Sequence, residues 1–182
     1  IMGPLPVADV TVHYMDIRAP GKRYDEFYEQ ARAMGATEVC IQGGLPHGLP
    51  AFYYRDILRS IKAAVPDMHI HAFSPMEMVY GVELTGMPLR DYLTMLRDNG
   101  LDTLPGTAAE ILDDDVRTLI SRNKLSTEQW KQVIRTAHQC GIRSTSTLMY
   151  GHVETAEDRI EHFGLPSAEH LRRARYRVNV VP

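Results

Sequence analysis

MHIHAFSPMEM, residues 68–78, reads as a strand that runs directly into a capped helix. His69 and His71 are two apart, so on an extended chain their side chains point to the same face. Ser74 as N-cap, Pro75 at N1 and Glu77 at N3 then have the spacing of a capping box, which satisfies backbone N–H groups at the start of a helix. A strand joined to a helix by so short a turn is one β-α unit, and the fold depends on whether the chain repeats it.

It does. RYDEFYEQARAMG (23–35) carries Tyr24, Phe27, Tyr28, Ala31 and Met34 at helical spacing and stops at Gly35, a natural C′ residue. TEVCIQGG (37–44) follows as a short apolar strand closed by two glycines. FYYRDILRSIKAAVP (52–66) is again helical, with Tyr53, Ile57, Ile61 and Val65 on one face and Pro66 as the stop. Beyond the opening stretch, PLRDYLTMLRDNG (88–100) is an amphipathic helix ended by Gly100. LDTLPG (101–106) reads as strand and turn, and AEILDDDVRTLIS (109–121) as an acidic helix. STEQWKQVIRTAHQCG (126–141) has Ser126 and Gln129 as a second capping box and Trp130, Val133, Ile134 and Ala137 as its apolar face. IRSTSTLMYG (142–151) is the last clear strand. VTVHYM near the start supplies a candidate extra strand, and SAEHLRRARYRVNVVP at the end a basic helix and a candidate strand.

Strict β-α alternation implies a parallel sheet with right-handed crossovers. A full (βα)₈ barrel has eight strands and typically about 250 residues. With 182 residues and four clear strands, beginning near 38, 68, 101 and 142, the expectation is one α/β domain over 1–182 that forms a partial TIM-type barrel. An open half-barrel would present unpaired sheet edges and apolar faces, which predicts self-association or pairing with another barrel segment. Glycines, histidines and glutamates cluster just after each strand, where such folds place their chemistry.

Composition excludes several other classes. Lys+Arg is 20 against Asp+Glu 23, so no basic excess points to nucleic acid. No apolar run approaches the roughly 18 residues of a membrane span. The two cysteines, Cys40 and Cys140, match no C-x-x-C or disulfide framework, and a reduced, cytoplasmic setting is the simplest reading.

Each motif has a functional and a structural reading. H-x-H at a strand end occurs in barrel zinc hydrolases, with His47, His138 or His152 available as further ligands to His69 and His71. The alternative packs one histidine and hydrogen-bonds the other, and no metal ligand is assigned. Paired glycines in IQGGLPHG (41–48) let a ligand approach the backbone, or merely make a tight turn. LPGTAAEILDDD (104–115) sets Gly106 and Thr107 at a helix entry with Glu110 one turn in, and Asp113–Asp115 as a solvated helix face. STSTLMYGHVET (144–155) supplies strand hydroxyls, then Gly151 and Glu154.

In order, ATEVCIQGGLP, HIHAFSPMEM, LPGTAAEILDDDVR, KLSTEQW and RTAHQCGIRSTSTLMYGHVET resemble the radical S-adenosylmethionine enzymes of FO synthesis, from about Gly35 to Glu161. Within that FO synthase family they are most similar to the tyrosine-using branch, the 5-amino-6-(D-ribitylamino)uracil–L-tyrosine 4-hydroxyphenyl transferases. The menaquinone-pathway relatives, aminofutalosine synthase and dehypoxanthine futalosine cyclase, share the QGG and strand-end histidine pattern and form the nearest alternative.

The resemblance implies a reaction. In the family a 4Fe–4S cluster cleaves S-adenosylmethionine, the resulting radical attacks tyrosine, and the tyrosine-derived 4-hydroxybenzyl group is joined to 5-amino-6-(D-ribitylamino)uracil before a partner subunit closes the ring. By position, Gln42, Gly43 and Gly44 match the family's S-adenosylmethionine-binding strand end, and Gly151 with Glu154 its G-x-x-E near the adenosine. His71, Ser74, Glu77, Thr107 and Glu110 become candidates for substrate contact. The family's C-x-x-x-C-x-x-C loop, whose thiolates hold three of the four irons, is absent from this sequence. The expectation is therefore either a fragment of a larger enzyme or a cluster-less, non-catalytic relative, not competent for radical chemistry by itself.

Overall fold

A computed structural model describes residues 11–13, 24–107, 109–170 and 178–181. Five parallel strands lie in the order β1 (Thr11–His13), β2 (Glu38–Gln42), β3 (His69–Ala72), β4 (Thr103–Leu104) and β5 (Arg143–Ser144). Sequential order is the order of a barrel wall, because a doubly wound sheet would reverse direction at its first strand. The helices between them are α1 (Tyr24–Ala33), α2 (Tyr53–Ala64), α3 (Pro75–Thr85), α4 (Leu89–Asp98), α5 (Asp114–Ile120) and α6 (Thr127–Gln139). After β5 come β6 (Ser146–Met149), α7 (Ala156–His170) and β7 (Val178–Val181), with β6 and β7 paired in parallel as a second sheet. This is the α/β, partial TIM-type architecture expected.

The strands are two-faced. Val39 and Ile41 of β2, Ile70 and Ala72 of β3 and Leu104 of β4 are buried in one apolar cluster with Leu58 and Ile61 of α2, Met78 of α3, Leu93 and Leu96 of α4, and Trp130 and Val133 of α6. Burying such side chains is worth about 1.5–3 kcal/mol each, so this face is the main stabilising layer. The positions between them (Glu38, Cys40, Gln42, His69, His71 and Thr103) are half-buried or exposed. The open face expected to be apolar is thus polar in β2, β3 and β4. Large exposed apolar side chains lie instead on helices, at Leu119, Ile160 and Phe163, and on turns, loops and β6, among them Met34, Val153 and Met149.

Both capping boxes form: Ser74 accepts from Glu77 N–H, Ser126 accepts from Gln129 N–H, and each N3 side chain reaches back to its N-cap. Two expectations change. The acidic helix begins at Asp114, not at Ala109, and Asp113 is its N-cap, accepting from Val116 N–H at 2.9 Å. Arg117 explains this. Its buried guanidinium donates to the carbonyls of Ala109 (2.6 Å) and Ile111 (3.2 Å), holding 109–113 as a loop whose carbonyls turn inward. Nor is 142–151 one strand: it breaks at Thr145 into β5 and β6, where Thr145 N–H donates to Leu104 O and its hydroxyl accepts from Gly106 N–H. The candidate strands at the two ends are present as β1 and β7; most of the basic stretch between α7 and β7 lies outside the described residues.

Candidate functional site

The polar face of the sheet is assembled by register. Glu38 lies opposite His69, Cys40 opposite His71, and His71 opposite Thr103. His69 and His71 share a face, as their spacing requires, and both reach one hydroxyl: Thr103 Oγ1 is 2.8 Å from His69 Nε2 and 2.8 Å from His71 Nδ1. Glu38 Oε2 sits 3.5 Å from His69 Nε2. Burial holds the His71 pKa below its ordinary value, and the neighbouring His69 adds to the lowering while Glu38 opposes it. Among the described residues no group of three or more His, Cys, Asp or Glu side chains is arranged to hold a metal ion. His138, one of the ligands considered from sequence, pairs with Ser144 Oγ at 2.9 Å, and His152 pairs with Glu154.

At the ends of β2 and β3 the structure brings Gln42, Gly43, Gly44, Ser74 and Glu77 together. Glu77 is fully enclosed, and both its oxygens are occupied. Oε1 accepts from Gly43 N–H at 2.9 Å, while Oε2 accepts from Ser74 N–H at 2.6 Å and Ser74 Oγ–H at 2.7 Å. Burial pushes its pKa up, and the three donors pull in the opposite direction. Tyr80, one turn further along α3, donates to Pro46 O at 2.7 Å. Helix α3 therefore holds the 43–46 loop at two points. Sequence reasoning read Ser74 and Glu77 both as a capping box and as candidates for substrate contact; in the structure their polar atoms bind each other and Gly43. Gln42 and Gly44 remain exposed, and a Cβ added at Gly44 would meet nothing within 4 Å, so this strand end is open to a ligand.

The second cluster lies after β4. Thr107 O accepts from the Trp130 indole N–H at 3.1 Å, while its hydroxyl is buried with no hydrogen-bond partner among the described residues. Glu110 is not one turn into a helix. It is a loop residue with φ 37°, in the left-handed region that non-glycine residues rarely adopt, and it pairs with Lys124 and, at 3.7 Å, with Arg117. Gly106 passes so close to the next strand that a Cβ there would lie 1.8 Å from Thr145 O. Met149 N–H donates to Glu110 O at 3.2 Å, bringing this loop beside the turn that follows β6.

That turn is closed by Glu154. Gly151 sits at φ 95°, its N–H donates to Glu154 Oε1 at 2.7 Å, and His152 N–H donates to Oε2 at 3.0 Å. His152 Nδ1 lies 2.8 Å and Arg159 Nε 3.1 Å from the same carboxylate. The Gly151 N–H, followed by the His152 N–H and the His152 ring, lowers the Glu154 pKa to about 2. Gly151 and Glu154, picked out as a pair from sequence, do meet, in a turn where the carboxylate is enclosed by its own loop.

The chemistry of the donor set decides against a 4Fe–4S cluster on this chain's described residues. Such clusters are held by thiolates. Cys40 is on β2, where Gln42 Nε2 lies 3.8 Å from its sulfur. Cys140 is buried at the end of α6, its thiol donating to Arg90 O and accepting from Thr94 Oγ1 of α4. One thiol is on the polar face of the sheet and the other within the helical layer, so they do not converge.

Residues 12–165 match the family model described as the radical SAM superfamily, and the chain belongs to that superfamily. It is 46% identical over 158 residues to the 5-amino-6-(D-ribitylamino)uracil–L-tyrosine 4-hydroxyphenyl transferase of Methanothermobacter thermautotrophicus, covering 87% of this chain and 42% of that protein. It is 51% identical over 136 residues to the FO synthase of Mycobacterium tuberculosis, covering 75% of this chain and 16% of that protein. The chain thus spans less than half the length of these relatives. Among solved structures, methylornithine synthase (PylB) superposes with a TM-score of 0.62 at 17% identity, covering 87% of this chain and 43% of that one, a likeness of fold.

Several residues of the site escaped sequence reading: Thr103, Glu38, Tyr80 and Arg117. Strand-end position hinted at Thr103, but which side chain it meets depends on inter-strand register.

Proposed function

We propose that this chain is part of a radical S-adenosylmethionine enzyme of deazaflavin (FO) biosynthesis. Its reaction would transfer the tyrosine-derived 4-hydroxybenzyl group to 5-amino-6-(D-ribitylamino)uracil. The observation that carries this reading is 46% identity to the tyrosine 4-hydroxyphenyl transferase over 158 residues, 87% of this chain.

In this reading the Gln42–Gly44 strand end and the Gly151–Glu154 turn hold S-adenosylmethionine. The exposed Gln42 amide and the open Gly44 backbone suit the amino-acid end of that molecule. Glu77 and Ser74 act behind them by fixing Gly43. His71, Thr107 and Glu110 are the substrate-side groups. S-adenosylmethionine supplies the radical precursor when bound; this chain's residues bind, orient and exclude water. The two cysteines do not form a cluster site, so the cluster ligands belong outside this sequence, on a longer polypeptide or a partner subunit. Pairing through the open sheet would supply them. Neither Cys40 nor Cys140 is in a disulfide, which accords with a cytoplasmic setting. Among the described residues no helix is long and apolar enough to cross a membrane.

Iron and labile sulfide after anaerobic reconstitution, measured alone and with a candidate FO synthase partner, test the reading. The expected result is no retained cluster alone, and cluster-dependent cleavage of S-adenosylmethionine with the partner. Neither cleavage nor S-adenosylmethionine binding in any combination would overturn it.

A further inference from the structure

The Thr103 hydroxyl sits between two imidazoles, at 2.8 Å from a nitrogen of each. A hydroxyl has one proton, so it donates to one ring and accepts from the other. Two directions are available to this chain of hydrogen bonds, and Glu38 selects between them. Its Oε2 lies 3.5 Å from the same His69 Nε2 that meets Thr103. A lone pair on that nitrogen would face a carboxylate, whereas an N–H there is attracted to it. His69 Nε2–H therefore donates to Thr103 Oγ1, and Thr103 O–H donates to His71 Nδ1. A neutral His71 accepting at Nδ1 carries its proton on Nε2.

His71 Nε2 has no hydrogen-bond partner among the described residues, and the side chain is half-buried on the polar face of the sheet. The other group register places against it is Cys40. We infer that Thr103 is a positioning residue that orients the Glu38–His69–Thr103–His71 chain and so presents His71 Nε2–H as a neutral hydrogen-bond donor to a carbonyl oxygen of the bound substrate. Burial, which lowers the His71 pKa, agrees with a neutral ring. A neutral donor suits an uncharged carbonyl such as those of a pyrimidine; that identity, unlike the relay, rests on the function proposed above.

Long-range ¹H–¹⁵N spectra of the histidine-labelled chain read tautomers directly, with His71 assigned by its loss in His71→Gln. The expected result is an Nε2-protonated His71, a mixed tautomer in Thr103→Val, and the wild-type pattern restored in Thr103→Ser. An Nδ1-protonated His71 in the wild type, or a pattern unmoved by Thr103→Val, overturns the relay. Should Thr103→Val not fold, the wild-type tautomer and Thr103→Ser still decide. Adding 5-amino-6-(D-ribitylamino)uracil to the wild type is expected to shift the His71 Nε2–H resonance. A correct tautomer that ignores saturating aminouracil overturns the ligand assignment and leaves the relay standing.

Discussion

Replacing Glu77 by glutamine tests how the 43–46 loop is held. Every partner of this carboxylate is a donor: Gly43 N–H on one oxygen, Ser74 N–H and O–H on the other. Glutamine has one oxygen and one NH₂, so it satisfies one side of this arrangement and turns a donor against a donor on the other. If its oxygen stays with Ser74, Gly43 N–H loses its acceptor. A hydrogen bond to a charged group contributes about 1.5–3 kcal/mol, and an orphaned N–H costs about 1–3 kcal/mol. Against this, the change removes a charge whose burial is unfavourable, as the raised pKa of Glu77 shows. The net expectation is a destabilisation of about 2 kcal/mol. Urea denaturation should report it as a lower midpoint with an unchanged slope. Amide exchange should report faster exchange at Gly43, with the Tyr80–Pro46 contact the remaining tether of the loop. A Gln variant as stable as wild type, with Gly43 equally protected, would refute the claim that the carboxylate anchors this strand end.

His162 supplies a pH test. It is buried on α7, accepts from Leu112 N–H at Nδ1 (3.0 Å), and burial lowers its pKa to about 4 from an ordinary 6.5. The unfolded chain therefore binds more protons than the native one between those values, so stability is full above about pH 6.5 and falls as pH drops toward 4, by about 3 kcal/mol in all. Chemical denaturation at pH 7 and 4.5 should show a smaller loss for His162→Gln than for wild type; equal losses would place the acid sensitivity elsewhere. Gly106→Ala should destabilise by about 3 kcal/mol or more, since its Cβ would meet backbone, at 1.8 Å from Thr145 O, rather than a side chain able to move aside. Thermal melting at wild-type temperature would contradict that close approach.

Local signals were enough where the physics is local. The Ser74–Glu77 and Ser126–Gln129 boxes are four-residue patterns, and both helices begin where those patterns place them. The apolar stripe of α2 likewise buries Tyr53, Ile57 and Ile61 as its spacing requires. The start of α5 falls later than the sequence suggests because AEILDDDVR carries no glycine or proline to mark a break; what unwinds its first half is Arg117, which captures the carbonyls of Ala109 and Ile111. Ser74 and Glu77 were recognised as a cap, yet the second partner of Glu77, Gly43, is 34 residues away and carries no sequence signal.

Sequence by itself determined the β-α alternation, the two capping boxes, the same-face pair His69 and His71, the likeness to FO synthases and the lack of a cluster-binding cysteine loop, because each is a property of spacing or of residue type. Only the tertiary structure decided that two histidines share the Thr103 hydroxyl beside Glu38, that Glu77 faces inward to Gly43, and that Cys40 and Cys140 lie on different layers. Those contacts join residues on separate elements. Strand register and helix packing set them, and both are fixed by burial of the whole apolar face at once rather than by any short stretch of chain.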